Sequence, residues 1–225
     1  MVNSLDNGIA AKFTSVMDEI AKAAARTDRG GNDVTLVTVS KTFPAEIVMP
    51  VLESGHRVFG ENRVQEADEK WPQLRKKFDG IELHLIGPLQ TNKAALAVGL
   101  FDCIQTLDRP KLAKVIALEL KKQQKQIELF VQVNTGAEPQ KSGVGAEGLP
   151  GFLDFCQKKL KLPVNGLMCI PPVTEDPKKH FLLLRELAAV NNLPKLSMGM
   201  SADFPLAIEC GATHVRVGTA IFGRR

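Results

Sequence analysis

The chain has 225 residues, of which 44% are apolar, 24% charged and 5% aromatic. This composition is typical of a globular protein with one large core, and it excludes disordered, collagen-like and disulfide-stapled chains. The formal net charge of +4 is too small to indicate nucleic acid as a partner.

The chain begins with a predicted helix, because apolar residues from Ile9 to Ala24 recur at helical spacing up to a polar break. The run Val34–Val39 then has apolar residues at both parities, which is typical of a strand buried on both faces of a parallel sheet. A helical stretch over Ala45–Glu53 ends at Gly55, where a C-terminal glycine is expected. Together the strand and the second helix form one β/α unit.

The same unit recurs along the rest of the chain. Further strands are predicted at His56–Phe59, Ile81–Ile86, Phe101–Thr106, Ile127–Val133, Val164–Ile170, Leu196–Met198 and His214–Val217. Helices between them are predicted at Glu61–Phe78, Leu89–Val98, Arg109–Gln124, Leu149–Leu160, Pro177–Val190 and Phe204–Glu209.

Eight strands that alternate with helices favour a single (β/α)8 barrel of the TIM type, since such barrels usually have ~250 residues. We expect one domain over residues 1–225, with residues 1–30 as an extra N-terminal helix packed on the barrel. An open doubly wound α/β sheet is the alternative, but no Gly-x-Gly-x-x-Gly follows the first strand.

The four cysteines stand far apart, and no Cys-x-x-Cys pair gives the spacing of a zinc site or a redox dithiol. Charged residues interrupt the apolar N-terminal stretch, and no apolar run reaches the roughly 18 residues that a bilayer span needs. We therefore expect a cytoplasmic protein with reduced, buried thiols, no metal and no membrane contact.

Residues that follow the strand C-termini form the active face of a barrel. Lys41 follows the first strand, and its parity matches that of Val37 and Val39. Partial desolvation at the barrel mouth would lower the pKa of such an amine and make it a nucleophile that forms Schiff bases with carbonyl compounds. The alternative is that the strand has ended and Lys41 extends into solvent. Lys93 and Lys141 are rival amines at a predicted helix start and in a glycine-bounded loop.

A possible phosphate site follows the last two predicted strands. Ser201 comes after the first of them, and Gly218 and Thr219 come after the second. These two loops form the usual phosphate site of a barrel, because N–H groups at helix starts bind anions and hydroxyl groups add donors. Alternatively Ser201 only caps a helix and Gly218 only forms a turn. Their coincidence at the two loops favours the phosphate site.

Arg216 stands in the middle of an apolar strand, Val-Arg-Val-Gly, where an unpaired guanidinium would be costly. Its partner is predicted to be either a planar or anionic ligand or a carboxylate from Glu61 or Asp203. His84, on the third predicted strand, is either a satisfied core residue or a second acid–base group. Asn62 and Asn134 either orient a ligand or cap turns.

A Schiff-base lysine that faces a phosphate site fits pyridoxal 5′-phosphate, which carries an aldehyde at one end and a phosphate at the other. The same pair of features fits a class I aldolase that acts on a sugar phosphate.

Six ordered blocks of sequence resemble the pyridoxal phosphate homeostasis protein family over almost the whole chain. They are Val39–Thr42, Phe59–Asn62 with Val64–Glu66, His84–Lys93, Gly166–Met168, Ser197–Asp203 and Val215–Gly223. The family is similar in fold to the barrel domain of alanine racemase, so the resemblance implies a fold type III pyridoxal phosphate barrel.

The resemblance implies that Lys41 bears the cofactor aldimine, that Ser201, Gly218 and Thr219 hold the phosphate, and that Arg216 faces the pyridine nitrogen. Asn62 and Met200 would lie near the ring, and His84 is a weaker candidate for contact with the cofactor. The predicted cofactor-binding residues are thus Lys41, Asn62, His84, Met200, Ser201, Arg216, Gly218 and Thr219.

The resemblance also bears on activity. A racemase with this barrel needs a tyrosine base and a separate β-domain, whereas this chain contains no tyrosine. A guanidinium keeps its proton, so Arg216 would disfavour protonation of the ring nitrogen and slow carbanion chemistry.

We predict a non-catalytic protein that holds pyridoxal phosphate reversibly in vitamin B6 and amino-acid homeostasis. The expected partners are the cofactor and the apo-enzymes that receive it, and the chain is expected to be a monomer. The alternative is a pyridoxal phosphate-dependent racemase-like enzyme or a Schiff-base aldolase.

Overall fold

Parallel strands and helices alternate along the chain in a computed structural model, which describes residues 4–138 and 140–223. The strands are β1 Thr35–Val39, β2 Val58–Glu61, β3 Glu82–Leu85, β4 Cys103–Leu107, β5 Glu128–Asn134, β6 Val144–Gly145, β7 Val164–Cys169, β8 Lys195–Ser197 and β9 His214–Val217. The helices are α1 Ser4–Ala25, α2 Ala45–Glu53, α3 Val64–Arg75, α4 Ala94–Leu100, α5 Pro110–Gln123, α6 Leu149–Asp154, α7 Pro177–Val190, α8 Phe204–Glu209 and α9 Thr219–Phe222.

Eight of the strands close into a barrel. The order β1-β2-β3-β4-β5-β7-β8-β9 is continuous and entirely parallel, and it closes because β9 pairs with β1. The predicted (β/α)8 barrel is therefore confirmed, and an open sheet is excluded because the ring has no edge. β6 was not predicted. It pairs with β5 outside the ring, where Val144 lies opposite Val133.

The two faces of each strand bury different surfaces, which explains the apolar residues at both parities of β1. Leu36 points outward into the large core between the strands and the helices, whereas Val37 points inward and packs with Val39 and Ile86. Inward residues on several other strands are polar, among them Gln105. The barrel interior therefore combines apolar packing with a buried polar network.

The helices cover the outside of this ring. α1 is amphipathic and buries Ile9, Phe13, Val16 and Ile20 at helical spacing against α2, α8 and α9. α2, α7 and α8 have the predicted bounds. The predicted helix Leu149–Leu160 is instead α6 followed by a π-helical turn, and α4 is preceded by a 3-10 turn. Prolines in the first turn start α5, α6, α7 and α8.

All four cysteine thiols are buried and unpaired, as predicted. Burial raises the pKa of Cys156 and of Cys169 to about 12, so neither thiol is a reactive thiolate near neutral pH. In the described ranges, no group of three or more His, Cys, Asp or Glu side chains is arranged to hold a metal ion. None of the helices that the structure describes is long and apolar enough to cross a bilayer.

Candidate functional site

A cavity of about 530 Å³ opens at the carboxyl end of the barrel strands. The loops after β1, β2, β8 and β9 bring together the predicted cofactor-binding residues that line it, which are Lys41, Asn62, Met200, Ser201, Arg216, Gly218 and Thr219. Apolar side chains complete the wall, among them Val39, Phe43, Ile86 and Ile170. An amine, a guanidinium and two hydroxyl groups therefore face one cavity.

Lys41 reaches this cavity from a turn rather than from a strand. β1 ends at Val39, and the chain turns at Lys41 and Thr42, where Thr42 has a left-handed φ of 68°. Lys41 is an exposed residue of this turn, as expected if the strand has ended before it. Since the turn starts two residues after the last strand residue, the side chain lies at the rim of the cavity and not within the barrel.

Lys70 holds this turn from the side of α3. Its ammonium donates hydrogen bonds to the backbone carbonyl of Ser40 at 2.8 Å and to that of Phe43 at 2.9 Å. The same ammonium lies 2.6 Å from the Glu61 carboxylate, and only 8% of the Lys70 side chain is exposed. One buried cation thus ties together the two backbone carbonyls that flank the turn at Lys41.

Glu61 is the partner of Lys70, and we call these two side chains the clamp. This carboxylate is fully buried, and its Oε1 accepts hydrogen bonds from Ser40 Oγ at 2.8 Å and from Trp71 Nε1 at 3.0 Å. Glu61 and Lys70 therefore form a buried, hydrogen-bonded ion pair whose contacts converge on the residue before Lys41. Removal of either partner would leave an uncompensated buried charge, so the pair stabilises the turn only when both side chains are present.

Arg216 lies at the floor of the cavity and is 4% exposed. Its Nη1 donates to Ser197 Oγ at 2.7 Å, and its Nη2 donates to the Cys169 carbonyl at 2.8 Å. Burial lowers the pKa of Arg216 from its ordinary value, and nearby Cys169 and Asp203 act in the opposite direction. Neither predicted carboxylate pairs with Arg216. Glu61 pairs with Lys70, and Asp203 accepts a hydrogen bond from the backbone N–H of Met200.

The loops after β8 and β9 contribute hydrogen-bond donors to the cavity lining. Ser201 Oγ accepts from the backbone N–H groups of Gly218 at 3.3 Å and Ala220 at 3.4 Å. Ser201 therefore joins the loop after β8 to the start of α9, and it is not merely a cap of α8. With the Thr219 hydroxyl in the same lining, these groups form a donor set suited to a phosphate.

Glycine is required where two of these loops approach other backbone atoms closely. A Cβ on Gly87, after β3, would lie 2.2 Å from the Asn62 carbonyl oxygen. A Cβ on Gly218 would lie 2.8 Å from the Val39 carbonyl oxygen. Neither distance is compatible with a side chain, so these glycines set how closely the Asn62 loop and the β9 end pack.

The rival lysines are not brought to the cavity. Lys93 lines a separate cavity of about 640 Å³, which Asn62 also borders. Lys141 forms an ion pair with Glu138 at 2.6 Å. Asn134 caps the same loop, since its amide donates to the Glu138 carbonyl at 2.8 Å.

His84 does not line the cavity either. It lies fully buried inside the barrel, two residues before Ile86 on the chain and one layer deeper. Its Nε2 lies 2.7 Å from Glu82 Oε1, and its Nδ1 lies 2.8 Å from Gln105 Nε2. Among the described residues that line the cavity, His84 is therefore not present as a second acid–base group.

Sequence reasoning missed Lys70, Gln105 and Ser197. A weak signal exists for Lys70, since it adjoins Trp71 on the buried face of α3. Gln105 and Ser197 carry no local signal, because each is a single polar residue on a short strand.

Comparisons with known proteins show which family the chain is similar to. The sequence profile of the alanine racemase N-terminal domain matches residues 16–225. The pyridoxal phosphate homeostasis protein of Aquifex aeolicus is 41% identical over 223 residues, which cover 95% of this chain and 97% of that protein. The protein of the same name from Escherichia coli K12 is 35% identical over 228 residues, with 97% of each chain covered.

Solved structures extend the comparison. PipY of Synechococcus elongatus, solved with PLP bound, superposes with a TM-score of 0.82 at 33% identity, covering 96% of this chain and 100% of PipY. Alanine racemase from Corynebacterium glutamicum superposes with a TM-score of 0.70 at 17% identity, covering 98% of this chain and 62% of the racemase. The racemase comparison shows a shared fold over 62% of the racemase chain.

Proposed function

The chain belongs to the pyridoxal phosphate homeostasis protein family, which has the barrel of the alanine racemase N-terminal domain, and from this premise we propose that it binds pyridoxal 5′-phosphate at the barrel mouth. The observation that carries the proposal is that Lys41 and the donors around Ser201 and Gly218 line one cavity of about 530 Å³. A small ring that carries both an aldehyde and a phosphate matches the amine of Lys41 and the donors around Ser201 and Gly218.

The residues present fit this cofactor. The hydroxyl groups of Ser201 and Thr219 would hold the phosphate together with the N–H groups at the start of α9, whose bonds to Ser201 Oγ are long, at 3.3 Å and 3.4 Å. Arg216 donates two of its five N–H groups to Ser197 and to the Cys169 carbonyl, so the guanidinium has further donors for the ring nitrogen. The bound cofactor would supply an electrophilic aldehyde, and the Lys41 amine would hold it as a Schiff base with loss of one water molecule.

We propose that the protein stores and releases the cofactor and does not catalyse a reaction. The relatives are named homeostasis proteins, the chain has no tyrosine, and His84 lies outside the cavity lining. Arg216 opposes protonation of a facing ring nitrogen, which weakens the electron sink that racemisation needs. The exposed position of Lys41 supports reversible binding, because water can reach the Schiff base and release the cofactor.

The proposed setting is vitamin B6 and amino-acid homeostasis, with apo-enzymes as the recipients of the cofactor. We further propose that the protein is a monomer. Four unpaired, buried thiols support a reducing compartment such as the cytoplasm.

The proposed function is tested by reconstitution and isotope exchange. Purified apo-protein titrated with pyridoxal 5′-phosphate should bind one equivalent and develop the absorption band of a Schiff base. The loaded protein in D₂O should then exchange the α-protons of amino acids no faster than free cofactor does. Sustained faster exchange would show an enzyme, and a wild-type chain that cannot be loaded would remove the proposal entirely.

Substitution of Gly218 by alanine is expected to weaken cofactor binding roughly tenfold, since overpacking costs about 1–3 kcal/mol. The new Cβ would meet the Val39 carbonyl and displace the end of β9 from β1, and with it the phosphate loop. Equilibrium titration of the apo-protein measures the change. Gly145→Ala is the matched control, because no atom lies within 4 Å of a Cβ at that position. Wild-type affinity in Gly218→Ala would show that the loop tolerates the shift.

A further inference from the structure

Arg216 is one end of a chain of hydrogen-bonded side chains that crosses the barrel interior. Its Nη1 donates to Ser197 Oγ at 2.7 Å. Ser197 Oγ lies 2.6 Å from Gln105 Oε1, and Gln105 Nε2 lies 2.8 Å from His84 Nδ1. The last bond joins His84 Nε2 to Glu82 Oε1 at 2.7 Å. The chain thus links the cavity floor to a carboxylate at the other end of the barrel.

Each bond in the chain has a defined direction. A guanidinium can only donate, so the Ser197 hydroxyl accepts from Arg216 and gives its own proton to the Gln105 carbonyl. The Gln105 amide then donates to Nδ1 of His84, whose remaining N–H points at the Glu82 carboxylate. All the bonds therefore run from the cation to the anion, an arrangement in which hydrogen bonds polarise one another.

The chain leads from the buried Arg216 to a carboxylate at the surface. Ser197, Gln105 and His84 are fully buried, whereas 47% of the Glu82 side chain is exposed. The hydrogen bond from His84 lowers the pKa of Glu82 and so favours its ionised form. Among the described residues, no carboxylate forms an ion pair with Arg216.

The neighbouring ring of His214 does not replace Glu82 as a charge. Its centroid lies 6.1 Å from that of His84. Burial lowers the pKa of His214 to about 3, so the ring is neutral at physiological pH. Lys195, at the same end of the barrel, bonds to Glu128. The chain to Glu82 is therefore a continuous polar route from Arg216 to an exposed carboxylate among the described residues.

We propose that Glu82, His84, Gln105 and Ser197 are positioning residues, which orient the Arg216 guanidinium toward an unprotonated aromatic ring nitrogen of the ligand. The inference rests on the proposed function, because it concerns recognition of the same ligand. The Ser197 hydroxyl and the Cys169 carbonyl each hold one terminal nitrogen of the guanidinium, so its plane is set by groups below the cavity. Loss of one of them frees that plane to turn.

The test compares two ligands that cannot form a Schiff base. Pyridoxine 5′-phosphate carries the ring nitrogen but no aldehyde, and its carbocyclic analogue has a C–H group in place of the ring nitrogen. Gln105→Met keeps the length of the side chain and removes both of its hydrogen bonds. By calorimetry this variant should bind pyridoxine 5′-phosphate roughly tenfold more weakly, the size expected when buried polar groups lose a hydrogen-bond partner. Binding of the carbocyclic analogue should stay unchanged.

Gln105→Glu should restore most of the affinity, because its carboxylate can accept from Ser197 as the Gln105 carbonyl does, and so keeps the hydroxyl that holds Nη1 of Arg216 in place. Ser197→Ala is the second test variant and should show the same ligand-selective loss if Gln105→Met does not fold. Met168→Leu is the control, since Met168 lies beside Ser197 in the same interior layer and is apolar. It should bind both ligands like wild type.

Two results would overturn the inference: wild-type affinity in both folded variants, or equal losses for the two ligands. The second would indicate a general packing role. A wild-type chain that loads pyridoxal 5′-phosphate but binds neither ligand would also overturn the inference. A chain that cannot be loaded with pyridoxal 5′-phosphate contradicts the proposed function instead, so the two failures are distinguishable.

Discussion

Replacement of Lys41 by alanine should abolish borohydride-stable attachment of the cofactor and weaken its retention by at least on the order of 100-fold, about 2.7 kcal/mol. The reason is covalent: a primary amine at the cavity rim condenses with the aldehyde, and alanine cannot. Wild-type protein treated with cofactor and borohydride should gain the mass of one reduced adduct. Peptide mapping should place this adduct on Lys41, and the variant should gain none there.

Matched variants separate the amine from its charge. Lys41→Arg keeps a cation at the same rim but offers no condensing primary amine, so it should fail in the same way. Lys93→Ala and Lys141→Ala should keep the adduct, because neither lysine lines this cavity. An adduct that maps to Lys93 or Lys141 in the wild type would contradict the assignment.

Replacement of Lys70 by methionine should lower the free energy of unfolding by about 3–5 kcal/mol, the usual cost of breaking a buried ion pair. Glu61 is fully buried, and without Lys70 its charge has no cation beside it. The carbonyls of Ser40 and Phe43 also lose a donor. Urea unfolding measures the loss of stability, and hydrogen exchange of residues 40–43 reports on the turn that carries Lys41.

A double-mutant cycle tests this explanation. Glu61→Gln combined with Lys70→Met removes both charges while the amide can still accept from Ser40, so the pair should recover much of the lost stability. Lys77→Met, at an exposed position beyond the same helix, should leave stability unchanged. If the double variant is as unstable as the sum of the single ones, the buried charge is not the cause.

Several elements follow directly from local sequence pattern. α7, α8 and the strand His214–Val217 have the bounds that the hydrophobic period predicts. The identities of the cavity residues also follow, because parallel strands place their carboxyl ends at one face, and Lys41, Ser201 and Gly218 each stand just after a strand. The exposure of Lys41 does not follow, since it depends on where β1 ends and the turn begins.

The amino-acid sequence by itself thus determined the barrel and the side of the barrel on which the chemistry lies, because both depend on hydrophobic period and strand order. Only the tertiary structure decided what holds the reactive groups in place. The clamp joins α3 to β2 and to the turn after β1. Gln105 and Ser197 form a hydrogen bond although 92 positions separate them in the chain. Partners of this kind are selected by closure of the barrel, which brings distant strands together, and no local pattern encodes them.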